Sequence, residues 1–227
     1  MFFMTEKVPG THSPTNIYSS SDGGITFVAG TQLASQTGIE NIVYGNGIYV
    51  ASGYKFEPDT NLYDKLVIYT STDGVNWVNR LSTGTGGTNL RGDVIFIGDR
   101  FICSTSAGYI YQSIDGINWS NMGHPSVSGK TCTSINNMIY GNEILLIQSS
   151  GREFFYSTDK GQSFQYILFN GNTPTDMSYF NGFFYVGMAQ YVYNGSHPAN
   201  SPFLKSTNLE EWIEMPPFPI PYWVNYY

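Results

Sequence analysis

The feature that most constrains this chain is a turn motif that recurs five times. It reads IYSSSDGGITF at 17–27, IYTSTDGVNW at 68–77, IYQSIDGINW at 110–119, FYSTDKGQSF at 155–164 and FLKSTNLEEW at 203–212. Each copy is an apolar strand end, a Ser/Thr–Asp–Gly turn and a closing aromatic. The aromatics Phe27, Trp77, Trp119, Phe164 and Trp212 follow one another at spacings of 50, 42, 45 and 48. A period of this length marks an array of small units, none of which can bury its apolar face alone.

A second pattern interleaves with the first: VYGNGIYVASG at 43–53, FIGDRFICSTS at 96–106, IYGNEILLIQS at 139–149 and SYFNGFFYVGM at 178–188. Each is an apolar run, a short Asn/Asp/Gly turn and a second apolar run. Asn-Gly and Gly-Asp between apolar runs predict hairpins, because these residues accept positive φ. Each unit therefore holds two hairpins, or four strands a to d, with the Ser–Asp motif at the c–d turn. Four-stranded units repeating at this spacing predict an all-β fold, a β-propeller of five four-stranded blades. The expected organisation is an N-terminal segment 1–16, a propeller over 17–215 and an aromatic, Pro-rich tail over 216–227. The first c–d hairpin lacks an a–b hairpin ahead of it. The missing a and b strands are thus expected from the tail PPFPIPYWVNYY, or partly from residues 1–16; otherwise the tail is expected to dock on a partner chain.

Composition agrees. Charged residues are 12% of the 227, against about 25% in ordinary soluble domains. Aromatics are 16%, which excludes disorder. The net charge of −7 offers no basic face for phosphates, so nucleic acid is not an expected partner. The longest apolar run, 144–147, is far short of the roughly 18 residues of a spanning helix, and membrane insertion is not expected. The opening MFFMTEKVPG does not read as a signal peptide. Cys103 and Cys132 are expected to be buried free thiols.

The turn motif carries a resemblance. Ser20–Phe27 matches the Asp-box pattern S-x-D-x-G-x-T-[W/F], and Ser157–Phe164 matches it closely. The copies at 71–77 and 113–119 are one residue shorter, and 206–212 is degenerate, with Asn208 for the Asp and Leu209 for the Gly. Over roughly 17–214 the chain resembles Asp-box (BNR-like) propellers of the sialidase type. More narrowly it resembles the small Asp-box propellers of bacteriophage virions. The resemblance implies a structural role for Asp22, Gly24, Phe27, Asp73, Gly74, Trp77, Asp115, Gly116, Trp119, Asp159, Gly161, Phe164 and Trp212. Each Asp would accept hydrogen bonds from its own turn, and each aromatic would pack between blades.

The resemblance does not extend to sialidase chemistry. That chemistry uses three arginines on the substrate carboxylate, and Arg80, Arg91, Arg100 and Arg152 fall at dissimilar places in the repeat. His12, His124 and His197 have no metal-ligand spacing. Neither a G-x-S-x-G elbow nor a phosphate loop is present. Neither a catalytic residue nor a metal or cofactor is expected. Among the acids, Asp59, Asp64, Asp93 and Asp176 sit in or near predicted loops and are the candidates for a carboxylate pair.

Strand alternation places the a–b and c–d turns on one face and the b–c and d–a connections on the other. The first face is stereotyped. On the second, two blades carry insertions, GYKFEPDTNLYDK at 53–65 and MAQYVYNGSHPANSP at 188–202. Loops on a rigid scaffold are where binding usually resides. The candidate ligand residues are therefore Tyr54, Asp59, Tyr63, Asp64, Tyr191, Tyr193, Asn194 and His197. The tyrosines would stack on a sugar ring or anchor a protein, and the polar groups would bond hydroxyls. The expected role is a non-enzymatic virion component (head decoration, fibre or tail) whose partners are other virion proteins or copies of itself. The alternative is a lectin-like propeller that recognises host-surface glycans. A glycoside hydrolase and a photosystem-type assembly factor are more distant readings.

Overall fold

The computed structural model describes residues 1–5, 16–57, 62–84, 90–169, 173–188 and 203–215, with 62–64 described by backbone only. Alternating apolar runs broken by turn residues produce antiparallel strands throughout the described residues. Sheet I holds β1 (Phe2–Thr5), β2 (Ile17–Ser20) and β3 (Val28–Ala29). Sheet II holds β4 (Thr37–Gly45), β5 (Ile48–Glu57), β6 (Leu62–Ser71) and β7 (Val78–Thr83). Sheet III holds β8 (Gly92–Phe96), β9 (Phe101–Thr105), β10 (Ile110–Ser113) and β11 (Ser120–Gly123). A small hairpin, β12 (Ser126–Val127) and β13 (Lys130–Thr131), precedes sheet IV. Sheet IV holds β14 (Asn137–Gly141), β15 (Ile144–Gln148), β16 (Glu153–Ser157) and β17 (Gln165–Leu168). Sheet V holds β18 (Pro174–Phe180), β19 (Phe183–Met188), β20 (Phe203–Ser206) and β21 (Ile213–Glu214). Sheets II to V are four-stranded meanders in chain order, which is the architecture of propeller blades.

The hairpin turns form where turn chemistry demands them. Asn46 and Gly47 both have positive φ between β4 and β5, as a two-residue primed turn requires. Asn142–Glu143 and Asn181–Gly182 repeat this geometry in sheets IV and V.

The blades stack through four clusters of buried side chains. Ile17, Ala51, Val67 and Trp77 join sheet I to sheet II. Val50, Ile68, Val94 and Phe101 join II to III. Ile102, Met138, Leu145 and Phe155 join III to IV. Leu146, Phe154, Met177 and Phe184 join IV to V. Inner strands come close because the inter-blade contact uses glycine against aromatic. A Cβ on Gly45 would lie 2.3 Å from the Phe96 ring, and one on Gly141 would lie 2.2 Å from that of Tyr179. The innermost strands β4, β8, β14 and β18 therefore pack in succession around the inside of the array.

Residues 2–5, within the 1–16 segment that the sequence offers as a partial source of the first blade, form β1 and pair with β2 in the position of a b strand. One sequence expectation changes here. The insertion at 53–65 is not a free loop. It prolongs β5 and β6 into a longer hairpin in which Phe56 pairs with Tyr63, because its apolar and charged residues continue the alternation of the sheet. Lys55 and Lys65 both reach Glu57 on that extension, at 3.4 and 2.6 Å.

Candidate functional site

The five Ser–Asp turns build one face. In each, the acid two residues after the serine receives that serine's hydroxyl and the amides of the next turn residues. Asp73 accepts from Ser71 Oγ at 2.9 Å, Val75 N at 2.8 Å and Asn76 N at 2.7 Å. Asp22, Asp115 and Asp159 repeat the pattern, and Asn208 reproduces it with an amide oxygen. Hydrogen bonds to the ionised form hold all four carboxyls below the usual range, Asp159 at about 2, led there by the Ser163 hydroxyl. Their capacity is consumed within the turn, so they have little left for a ligand.

Gly74, Gly116 and Gly161 adopt positive φ, and Leu209 takes the same conformation at φ 68 with its side chain buried. The indoles of Trp77, Trp119 and Trp212 donate to the carbonyls of Gly74, Gly116 and Leu209 and pack on the preceding sheet. Phe164 packs likewise against the sheet III–IV cluster. Phe27 departs from the expectation. It is 38% exposed, because no described sheet precedes sheet I to receive it.

The a–b turns lie on this same face and lace it together. Asn46 Nδ2 donates to Asp99 O and Ile114 O of sheet III, and Asn142 Nδ2 to Gly182 O and Thr207 O of sheet V. Lys160 reaches Asp99 at 2.8 Å. Every polar group named here already serves an inter-blade contact.

The opposite face is different. On the inner strands, Asn41, Asp93, Asn137 and Asp176 hold the same register position in sheets II to V, each one residue ahead of a buried or half-buried apolar residue. They meet in pairs across blades. Asn41 Nδ2 donates to Asp93 Oδ1 at 2.8 Å and to Val94 O at 3.0 Å. Asn137 Nδ2 donates to Asp176 Oδ1 at 3.0 Å. Arg91 lies beside them, its Nη1 3.7 Å from Glu40 Oε1. Together Glu40, Asn41, Arg91, Asp93, Ser104 and Asn137 line most of an open cleft of about 490 Å³.

The cleft mixes polar and apolar lining. Burial pushes the Asp93 carboxyl above its usual range, against the pull of the Asn41 amide. The wall offers a guanidinium, amides, hydroxyls and carboxylate oxygens on the inner strands and the residues that flank them. That inventory suits a ligand rich in hydroxyl groups, which donates and accepts at each position. Among the described residues no three His, Cys, Asp or Glu side chains converge as metal ligands.

Of the sequence-predicted ligand residues, Tyr54 is the one described with its side chain. Tyr54 is buried rather than presented: its ring lies on Gly38, and the Arg91 guanidinium stands 5.7 Å from its centroid. It supports the arginine and offers no open stacking surface. Tyr63 and Asp64 lie in β6, described by backbone alone. Asp59, Tyr191, Tyr193, Asn194 and His197 lie outside the described residues. Of the carboxylate candidates, Asp93 and Asp176 both reach the inner-strand openings. The four arginines separate. Arg80 bonds Thr70 on the outer strands, Arg100 bonds Asp99 on the turn face, Arg152 lies in the b–c turn of sheet IV, and Arg91 lines the cleft. Cys103 and Cys132 are buried and unpaired.

The cleft was missed because its members are distant in sequence. A signal did exist, in the recurrence Asn41-Ile42, Asp93-Val94, Asn137-Met138 and Asp176-Met177 in four successive a strands.

No family model and no curated protein matches this sequence. Solved structures do match the fold. YCF48 from Cyanidioschyzon merolae aligns at TM-score 0.54 with 15% identity, covering 82% of this chain and 67% of that one. An α-L-arabinanase from Penicillium chrysogenum, complexed with arabinobiose, aligns at 0.53 with 17% identity, covering 82% and 66%. An α-L-arabinofuranosidase from Fusarium graminearum, in complex with an iminosugar inhibitor, aligns at 0.51 with 15% identity, covering 93% and 76%. At these identities the likeness is one of fold, and the fold is a β-propeller.

Proposed function

We propose that this chain is a non-catalytic propeller of a bacteriophage particle that binds a glycan in the cleft between its inner strands. The observation that carries the binding reading is the open cleft at the boundary of sheets II, III and IV, whose wall sets Arg91, Ser106, Asn136 and Asn137 beside the Asn41–Asp93 pair. Such a wall recognises hydroxyl groups by paired donors and acceptors. The phage setting rests on the resemblance of the repeats and on the low charge of the chain. The test is a glycan array with the intact protein, repeated with Asn41→Ala and Arg91→Ala, alongside fractionation of purified particles. Specific binding lost in both variants, and recovery of the protein with particles, supports the reading. No binding by a folded protein would refute the glycan half. Absence from particles would refute the virion half.

A second reading, a glycoside hydrolase, is favoured by one observation: Asp93 has the raised carboxyl of a general acid and stands in a cleft with Glu40. Two of the structures of like fold are glycosidases by name. Turnover of an arabino-oligosaccharide, abolished in Asp93→Asn, would establish it in place of the first.

A further inference from the structure

Sheets II to V share a register at the residue one place before each box serine. Thr70, Gln112, Tyr156 and Lys205 pair there with Val50, Ile102, Leu146 and Tyr185 of the b strands. Three of these side chains are held within their own blade. Arg80 Nε donates to Thr70 Oγ1 at 2.8 Å, the Tyr156 hydroxyl donates to Gln165 Oε1, and the Lys205 ammonium stands 4.7 Å from the Phe183 ring centroid. Gln112 is the exception. Its Oε1 is buried and accepts no hydrogen bond from the described residues. A buried amide oxygen without a donor is unfavourable.

The difference lies in one residue of the d strand. In sheet II the pairing skips from Tyr69–Asn79 to Ile68–Leu81, and Arg80 is the bulged residue between them. In sheet III it skips from Tyr111–Asn121 to Ile110–Gly123, and Met122 is the bulged residue. Met122 therefore stands where Arg80 stands, and a thioether cannot donate to the Gln112 amide oxygen. Beside it runs a groove of about 320 Å³ whose lining includes Gln112, Ile114, Asp115, Ser120 and Met122. Its apolar residues face outward, Ile114 66% and Met122 45% exposed. Asp115 contributes a negative charge, although its oxygens already serve Ser113, Ile117 and Asn118. No Lys or Arg is among the described residues that line the groove, and it shares none of them with the inner-strand cleft.

We propose that this groove docks an arginine side chain of a partner protein, which takes in sheet III the place that Arg80 takes in sheet II. The chain supplies its own precedent for the geometry, since a guanidinium N–H reaches the c-strand acceptor from the bulged position of the d strand. The remaining N–H groups of an arginine suit the Ser120 hydroxyl and the field of Asp115, and its methylene stem suits Met122 and Ile114. Charge favours a cation, because the chain carries −7 overall. β11 ends the strand order of sheet III, so the segment that brings the arginine has an edge strand to lie along.

The test is a titration of the isotope-labelled full chain with Nα-acetyl-arginine N-methylamide, read as amide chemical shifts. Saturable changes are expected at Gln112, Ile114, Ser120 and Met122. The citrulline analogue keeps the shape and loses the charge, and is expected to bind roughly ten-fold more weakly. Free arginine lacks the flanking peptide groups that an edge strand would meet, and is also expected to bind more weakly. Gln112→Leu removes the acceptor and is expected to weaken binding of the blocked arginine roughly ten-fold. Met122→Arg fills the groove from within, as Arg80 does in sheet II, and is expected to abolish binding and to raise the melting temperature. The proposal is overturned by the absence of saturable changes, by equal binding of the citrulline analogue, or by undiminished binding to either variant. A lower melting temperature for Met122→Arg would overturn it as well, since sheet III would then not reproduce the geometry of sheet II. Tighter binding of free arginine would overturn it in favour of a small guanidinium compound.

Discussion

Trp77 and Phe27 hold the same position of the same motif in adjacent blades, and the structure gives them different environments. Trp77 is 5% exposed, meets Phe3 at a centroid distance of 5.9 Å and donates to Gly74 O. Phe27 is 38% exposed. Truncating a buried Trp removes both its transfer energy and the packing around the cavity, about 3–5 kcal/mol. The lost indole hydrogen bond lies within that figure, since its partner carbonyl gains water once the ring is gone. Phe27→Ala removes a ring that is already partly hydrated and should cost about 1 kcal/mol, roughly the transfer term for the buried fraction. In a chain of this size, a kcal/mol shifts the melting temperature by about 2–4 °C. Trp77→Ala is therefore expected to lower it by about 6–20 °C and Phe27→Ala by about 2–4 °C. Differential scanning calorimetry reads both, provided each scan is reversible. Equal losses would refute the reasoning, because they would mean that the motif position and not burial sets the energy.

Three further outcomes follow from the same geometry. The Ser–Asp turn carboxyls have folded pKa values below the unfolded value of about 4, so their contribution is present above that pH and is lost as pH falls, through about 2 for Asp159. Asp159→Asn keeps an acceptor, as Asn208 shows, and is expected to flatten the acid limb of a stability–pH curve; an unchanged limb would refute the assignment. Asp93 has the opposite shift, raised by burial, so its ionisation on unfolding favours the unfolded chain increasingly as pH rises above its unfolded value. Asp93→Asn should match or exceed the parent melting temperature at pH 7 and lose that advantage near pH 4, and a constant deficit at both would contradict this. Gly141→Ala puts a methyl 2.2 Å from the Tyr179 ring and is expected to cost about 1–3 kcal/mol by overpacking, a loss that should shrink in the Tyr179→Ala background.

What could be read from the sequence was the chemistry that acts within a few residues. The Ser71–Asp73 turn closes on Val75 and Asn76, and the Asn46–Gly47 turn needs only its own φ angles, so both were visible without the fold. Blade type followed from their alternation. The extension at 53–65 was misread as a loop because Pro58, Asp59 and Asn61 are turn formers, while the charges Lys55, Glu57 and Lys65 that lace its strands look like solvent residues. Tyr54 was misplaced for the same reason, since nothing local reveals that Gly38 leaves room for its ring. The cleft depends on Asn41 reaching Asp93 across a blade boundary, 52 residues away in sequence. That distance closes only when sheets II and III pack, and the exposure of Phe27 likewise depends on what stands beside sheet I.

The claim that the inner-strand cleft binds a glycan is tested most directly by mapping amide chemical-shift changes on the isotope-labelled protein, titrated with an oligosaccharide selected on the array. The account predicts saturable changes clustered at Asn41, Gly92, Ser104, Ser106 and Asn137, with the box glycines Gly74, Gly116 and Gly161 unmoved. Changes confined to the turn face, or none at millimolar ligand, would contradict it.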